Sequence, residues 1–268
     1  MTKGIDIAWA RPDVDGIKAT GAKWVARYFS NDPTKDITEA EIKAYTAAGL
    51  AVVTVWESGA GAALKGRAQG VSDAQKAVAQ RKAVGLPDSH PIYFAVDQDT
   101  TWARVSDYFA GVASVLDRQL VGIYGGYKII LGADNAGYQF LWQTVAWSNG
   151  IWHPKADIRQ VGGTVLNGGA DIDDSMTFDF GQYPDPTPPV QEDEDVKTTD
   201  LINIAPWEQK QWPTDVALKD GKLQFGNAVG STYGHSRAAH EGVDALALKV
   251  DALAKQLTEL AALVTPKK

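Results

Sequence analysis

Two aspartates close a strand-like run, Pro91-Ile-Tyr-Phe-Ala-Val-Asp97-Gln-Asp99. A strand rises about 3.3 Å per residue and repeats its side-chain direction every second residue, which predicts both carboxyls on one side, with α-carbons roughly 6–7 Å apart. Carboxyls that close push each other's pKa values apart, so that one keeps its proton while the other ionises. Hydrolysis of a glycosidic bond uses such a pair, one group as acid and the other as nucleophile or base. The same residues also fit a plainer role, a helix N-cap and polar loop ahead of Thr100-Thr-Trp-Ala-Arg-Val.

Other strand-like runs end in similar chemistry. The first offers Asp6, the third Trp56 and Glu57, and the fifth Tyr124 and Tyr127. The sixth offers Trp142, Gln143 and Trp147, the seventh Gln160, and the eighth Asp171 and Asp173. Buried carboxyls are costly unless they pair or work, so their recurrence at strand ends points to a cleft. Aromatic rings around an acidic cleft suit the C–H faces of sugars. Each residue also has a structural alternative. Asp6 fits a hydrogen-bonding role within its strand, Glu57 a contact to the Ser-Gly-Ala-Gly loop, and Asp171 and Asp173 a turn or cation site. Trp142 and Trp147 equally fit a core. The histidines His90, His153, His235 and His240 show no HExxH spacing and read as surface or loop residues. No Gly-x-Ser-x-Gly elbow is present, so a serine hydrolase has little support. No metal and no cofactor is expected.

The elements that must position these residues alternate along residues 1–182. Strands are expected at 4–8, 24–29, 51–57, 91–97, 120–126, 140–145, 158–162 and 170–174. Thr38-Glu-Ala-Glu41 and Ser72-Asp-Ala-Gln75 read as capping boxes at helix starts. Gly49 and Gly85 read as left-handed helix ends, with Pro87 blocking continuation of the second helix. Eight strands with crossovers predict an α/β fold, a (β/α)8 barrel distorted late in the chain where connections shorten. An open doubly wound sheet is the alternative, but no GxGxxG or P-loop supports nucleotide binding.

Nine Trp and 44% hydrophobic residues in 268 suit one large packed domain with an appendage. The net charge of −7 argues against a nucleic-acid partner. Without cysteine there are no disulfides, thiolate metal sites or cysteine nucleophile. Met1-Thr-Lys-Gly-Ile-Asp-Ile-Ala enters a strand pattern at once, and no run has the length of a membrane span. The expectation is a chain made in the cytoplasm without a signal peptide and delivered to its place of action by other means. The barrel is expected over residues 1–183. Residues 184–200, proline-rich and then acidic, read as an extended linker. Residues 201–236 show no period and read as a small irregular segment. Residues 237–264 read as a coiled-coil helix. There Val243, Leu246, Val250, Leu253, Leu257, Leu260 and Val264 alternate spacings of three and four, a heptad seam that predicts self-association. An amphipathic helix lying on its own domain is the alternative.

Taken in order, several motifs carry a resemblance. Gly4-Ile-Asp6-Ile, Phe94-Ala-Val-Asp97-Gln-Asp99, Gly122-Ile-Tyr124-Gly, Leu141-Trp142-Gln-Thr-Val-Ala-Trp147, Ile158-Arg-Gln160 and Ala170-Asp171-Ile-Asp173 follow the motif order of family 25 lysozymes. Trp56-Glu57 after the third strand resembles more closely the related glycoside-hydrolase-like barrel family of actinobacteria and their phages. The resemblance covers roughly residues 3–182. It implies a barrel that cleaves or binds a polysaccharide such as peptidoglycan, with Asp99 at the general-acid position, Asp97 assisting, and Asp6 and Asp171 orienting or stabilising. The lysozymes carry Glu where Asp99 stands, and one methylene less costs reach. Glu57 is therefore the alternative acid.

Two functions follow. One is a peptidoglycan-directed, endolysin-like glycoside hydrolase. Its candidate catalytic residues are Glu57, Asp97, Asp99 and Asp6. Its candidate substrate contacts are Trp56, Tyr124, Trp142, Trp147, Gln160, Asp171 and Asp173. The other is a non-catalytic carbohydrate-binding or structural component of a phage or secretion particle. A metal-dependent hydrolase built on the aspartate pairs is a weaker third.

Overall fold

The computed structural model describes residues 1–186, together with residues 218–219 and 222–223. The chain divides into two compact units, Met1–Pro186 and Thr187–Lys268. In the first, eight strands close a barrel in chain order. They are β1 (Thr2–Ile7), β2 (Trp24–Phe29), β3 (Ala51–Trp56), β4 (Ile92–Ala95), β5 (Val121–Gly125), β6 (Phe140–Thr144), β7 (Ile158–Val165) and β8 (Ala170–Ser175). In the second, β9 (Leu218–Lys219) and β10 (Lys222–Leu223) pair antiparallel. The heptad residues 243–264 and the expected linker lie outside the described residues.

Strands β1 to β7 run parallel, while β8 runs antiparallel to both its neighbours, β7 and β1. Helices α1 (Val14–Ala19), α2 (Glu39–Ala47), α3 (Arg67–Ala83), α4 (Trp102–Val112) and α5 (Tyr127–Asn135) fill the first connections. No α-helix joins β6 to β7 or β7 to β8, which is the late distortion the short connections predict. The reversal of β8 has a consequence for the site. Asp171, near the start of β8, registers with Asp6 near the end of β1. The beginning of β8 thus reaches the same end of the barrel as the C-terminal ends of the other strands.

Local chemistry accounts for several boundaries. Thr38 and Glu41 form a reciprocal capping box at α2. Gly49 and Gly85 take positive φ angles of 76° and 78°, as helix-ending glycines do. Ser72-Asp-Ala-Gln75 does not start a helix. Instead α3 begins at Arg67 after Gly66, and Asp73 lies inside it, fully buried. There its carboxylate accepts from Ser58, Gln69 and Tyr108, so Asp73 ties the helix to its neighbours. The fourth strand is also shorter than expected. It ends at Ala95, and bends follow before α4. Asp97 and Asp99 therefore stand on a loop, not on a shared strand face.

Alternating side chains divide the apolar core in two. Ile5, Val25, Phe29, Val52, Trp56, Phe94 and Ile123 pack outward beneath the helices. Trp24, Ala26, Val53, Tyr93, Phe140, Trp142, Ile158 and Phe180 fill the barrel. Two strand glycines make room for this filling. A Cβ on Gly4 would meet the Trp24 indole at 2.0 Å, and one on Gly122 would meet the Tyr93 ring at 2.6 Å. Large rings opposite absent side chains give the close packing a narrow barrel needs.

Candidate active site

At the C-terminal end of the parallel strands the packing opens into a cavity of about 380 Å³. Its lining includes Trp9, Tyr28, Lys35, Glu57, Asp97, Tyr124, Trp142, Thr144, Trp147, Gln160 and Asp171. Seven residues expected from sequence are thus brought together: Glu57, Asp97, Tyr124, Trp142, Trp147, Gln160 and Asp171.

Glu57 follows β3 directly, and its amide donates to the Phe29 carbonyl at 3.0 Å. Its side chain ion-pairs with Lys35, Nζ to Oε2, at 2.6 Å. The next residue, Ser58, is tied to Asp73 at 2.8 Å, so the loop carrying Glu57 is pinned from below. Asp97 lines the same mouth. Burial, and then the Glu57 charge, push its carboxyl above the usual aspartate range, while Lys35 works the other way. Asp99 has a different setting. Its side chain is 58% exposed and pairs with Lys128 at 3.3 Å, and it does not line the cavity.

Beneath the floor lies a second tier. Asp6 is buried, accepting from the Tyr28 hydroxyl and from Gln160 Nε2, each at 2.7 Å. Burial raises its pKa to about 7, with the charge of Asp171 adding to the effect. Gln160 is held in that orientation because its Oε1 accepts from Tyr124 and Thr144, both at 2.8 Å. Asp173 is fully buried and accepts from the Trp142 indole at 2.8 Å. Burial, followed by the neighbouring Asp6, raises its pKa well above the ordinary value. Its Oδ2 has no hydrogen-bond partner among the described residues.

The aromatic residues divide in the same way. Trp147 has a φ of 57°, a conformation that is unusual for a bulky side chain and is sustained only where neighbours over-determine it. Here buried Ser148 bonds the Thr144 carbonyl at 2.6 Å and the Gln143 amide at 3.0 Å. Gln143 also holds the Ile151 carbonyl and the His153 amide, which makes it a brace for the loop. Trp56, expected at the site, is 1% exposed and belongs to the layer under the helices. Parity explains this, since Val55 points inward and the next residue must point out.

Trp9, Tyr28, Lys35 and Thr144 complete the mouth and were not singled out from sequence. Tyr28 had a signal in the alternation Trp24, Ala26, Tyr28, whereas Lys35 lies in a loop without one. His90 and His153 lie in loops, as expected, but are buried there rather than exposed. Burial lowers the His90 pKa to about 3, so it is neutral and bonds Thr54 at 3.1 Å. Among the described residues, no group of three or more His, Asp or Glu side chains is gathered to hold a metal ion. None of the described helices is long and apolar enough to cross a membrane.

Comparisons with known proteins agree with this architecture. The Mycobacterium tuberculosis protein Rv2525c, which carries a provisional name as a peptidoglycan hydrolase, is 29% identical over 191 residues, 62% of this chain and 78% of that one. A crystal structure of Rv2525c, described as Tat-secreted and in complex with L-tartrate, matches with a TM-score of 0.63 at 28% identity. That match covers 68% of this chain and 98% of the other. An uncharacterised protein from B. stearothermophilus shares the fold at a TM-score of 0.52 and 16% identity, over 65% of this chain and 96% of its own. The model of the Rv2525c-like, glycoside hydrolase-like domain matches residues 15–177. The chain belongs to that family.

Proposed function

We propose that this protein is a peptidoglycan-directed glycoside hydrolase whose chemistry is carried by Glu57 and Asp97. The observation that carries this reading is their difference in environment at one mouth. Glu57 is ion-paired with Lys35, while Asp97 is pushed towards its protonated form by burial and by the Glu57 charge. A carboxyl raised in this way beside an ion-paired one can serve as the acid while its neighbour serves as the charged partner. Asp97 protonates the glycosidic oxygen, and the Glu57 carboxylate stabilises the oxocarbenium-like state. An N-acetyl group on the substrate can supply the nucleophile without a further protein residue. Trp9, 61% exposed, and Trp147 offer ring faces to sugars at the rim. Asp6, Gln160, Tyr28 and Asp173 hold the floor. Asp99, at the acid position of the lysozyme pattern, is assigned a surface role.

The substrate class and a place of action at the bacterial wall rest on the resemblance to Rv2525c. Self-association through Val243 to Val264 is part of the same proposal. The experiment is digestion of purified sacculi, with mass-spectrometric detection of new reducing ends. Wild type releases muropeptides, and Glu57→Gln releases them at least ~100-fold more slowly, the range expected for loss of a catalytic charge. Binding to sacculi without release by wild type favours the non-catalytic carbohydrate-binding reading.

A further inference from the structure

Lys35 is the one cation among the residues lining the mouth, and its side chain is only 7% exposed. A buried lysine without compensation is costly. Here its ammonium lies 2.6 Å from Glu57 Oε2, 3.9 Å from the Tyr28 ring centre and 4.9 Å from that of Trp9. One face meets a carboxylate and two meet aromatic rings, so the ammonium is boxed in rather than left free to take a ligand. Besides Tyr28 on β2 and Glu57 after β3, which touch it, its charge acts on Asp6 on β1, Asp97 after β4 and Asp32 on its own loop, with Asp171 of β8 also acting on Asp97.

We infer that Lys35 is a positioning residue that assigns the two roles at the mouth, fixing Glu57 as the charged carboxylate and setting the pH at which Asp97 releases its proton. This rests on the proposed hydrolytic reading and adds to it the residue that controls its pH dependence. Removing the cation leaves Asp97 beside Glu57 without the compensating charge of Lys35, so Asp97 must hold its proton to higher pH.

The test is a carboxyl-carbon NMR titration of the full chain, with the Asp97 signal identified by its loss in Asp97→Asn. In Lys35→Met the Asp97 midpoint is expected to rise by about one pH unit, a roughly tenfold change in proton affinity. The alkaline limb of the sacculus-digestion profile should move the same way. Lys35→Arg keeps the charge and should titrate as wild type. Lys35→Gln, closer in length and polarity, replaces Lys35→Met if that variant does not fold. An unmoved Asp97 midpoint in the uncharged variants overturns the inference. If wild type releases nothing from sacculi, the hydrolytic reading fails, while the titration still decides the role of Lys35.

Discussion

The two ends of the barrel are built on the same strands and treat their inward side chains in opposite ways. At the lower end Trp24 meets Phe180 at 5.1 Å, Tyr93 meets Phe140 at 6.3 Å, and the Tyr93 hydroxyl donates to the Phe180 carbonyl. Further along, the inward series on β2 passes from Trp24 through Ala26 to Tyr28, and on β4 from Tyr93 to Ala95. On β6 and β7 it passes from Trp142 to Thr144 and from Ile158 to Gln160, while reversed β8 goes from Asp173 to Asp171. Rings give way to small and polar side chains, and a cavity opens. Burying a large apolar side chain stabilises by about 1.5–3 kcal/mol, whereas burying carboxyls costs stability. The lower end holds the barrel together, and the upper end gives up part of that stability to hold perturbed acids.

Substitutions at the two ends should therefore act in opposite senses. Trp24→Ala should cost about 3–5 kcal/mol in denaturant unfolding, because a fully buried indole leaves a void against Gly4 and Phe180. A cost below about 1 kcal/mol would mean the lower plug is not the stabilising end.

Asp6→Asn should behave in the opposite sense. Folding raises the Asp6 pKa from 3.8 to about 7, so the native state binds the proton more tightly than the unfolded chain. The wild-type penalty is then absent below the unfolded pKa, grows as pH rises towards 7, and is level above it. The melting temperature of Asp6→Asn minus that of wild type should climb between pH 4 and 7, by roughly 10 °C. A flat difference across thermal melts at these pH values would contradict a carboxyl that is protonated in the fold.

The sequence made the barrel legible because each strand carries its own short apolar run, and a closed parallel sheet with short late connections follows from their number. Reading the strand ends also singled out Glu57, Tyr124 and Gln160 at one end, and Asp171 joins them because β8 runs in reverse. Sequence alone could not show where pairing stops. Asp97-Gln-Asp99 looks like a strand continuation, yet the ladder ends at Ala95 and the two aspartates part company. Trp56 was read beside Glu57 because they are adjacent, although adjacency in a strand means opposite faces. Lys35 was hidden for another reason. It enters the site from a loop, through an ion pair that joins residues 22 apart, and no local pattern encodes that contact. His90 and Asp73 look like surface residues by type and are buried by partners distant in sequence.

The most direct measurement compares muropeptide release by two neighbouring variants, Asp97→Asn and Asp99→Asn, against wild type on the same sacculi. Asp97 lines the mouth, whereas Asp99 is paired with Lys128 at the surface, and a surface pair of that kind contributes little. Release should slow at least ~100-fold in Asp97→Asn, as for loss of a general acid, and change less than about threefold in Asp99→Asn. The reverse order, or equal losses, would contradict the assignment of the chemistry to Glu57 and Asp97.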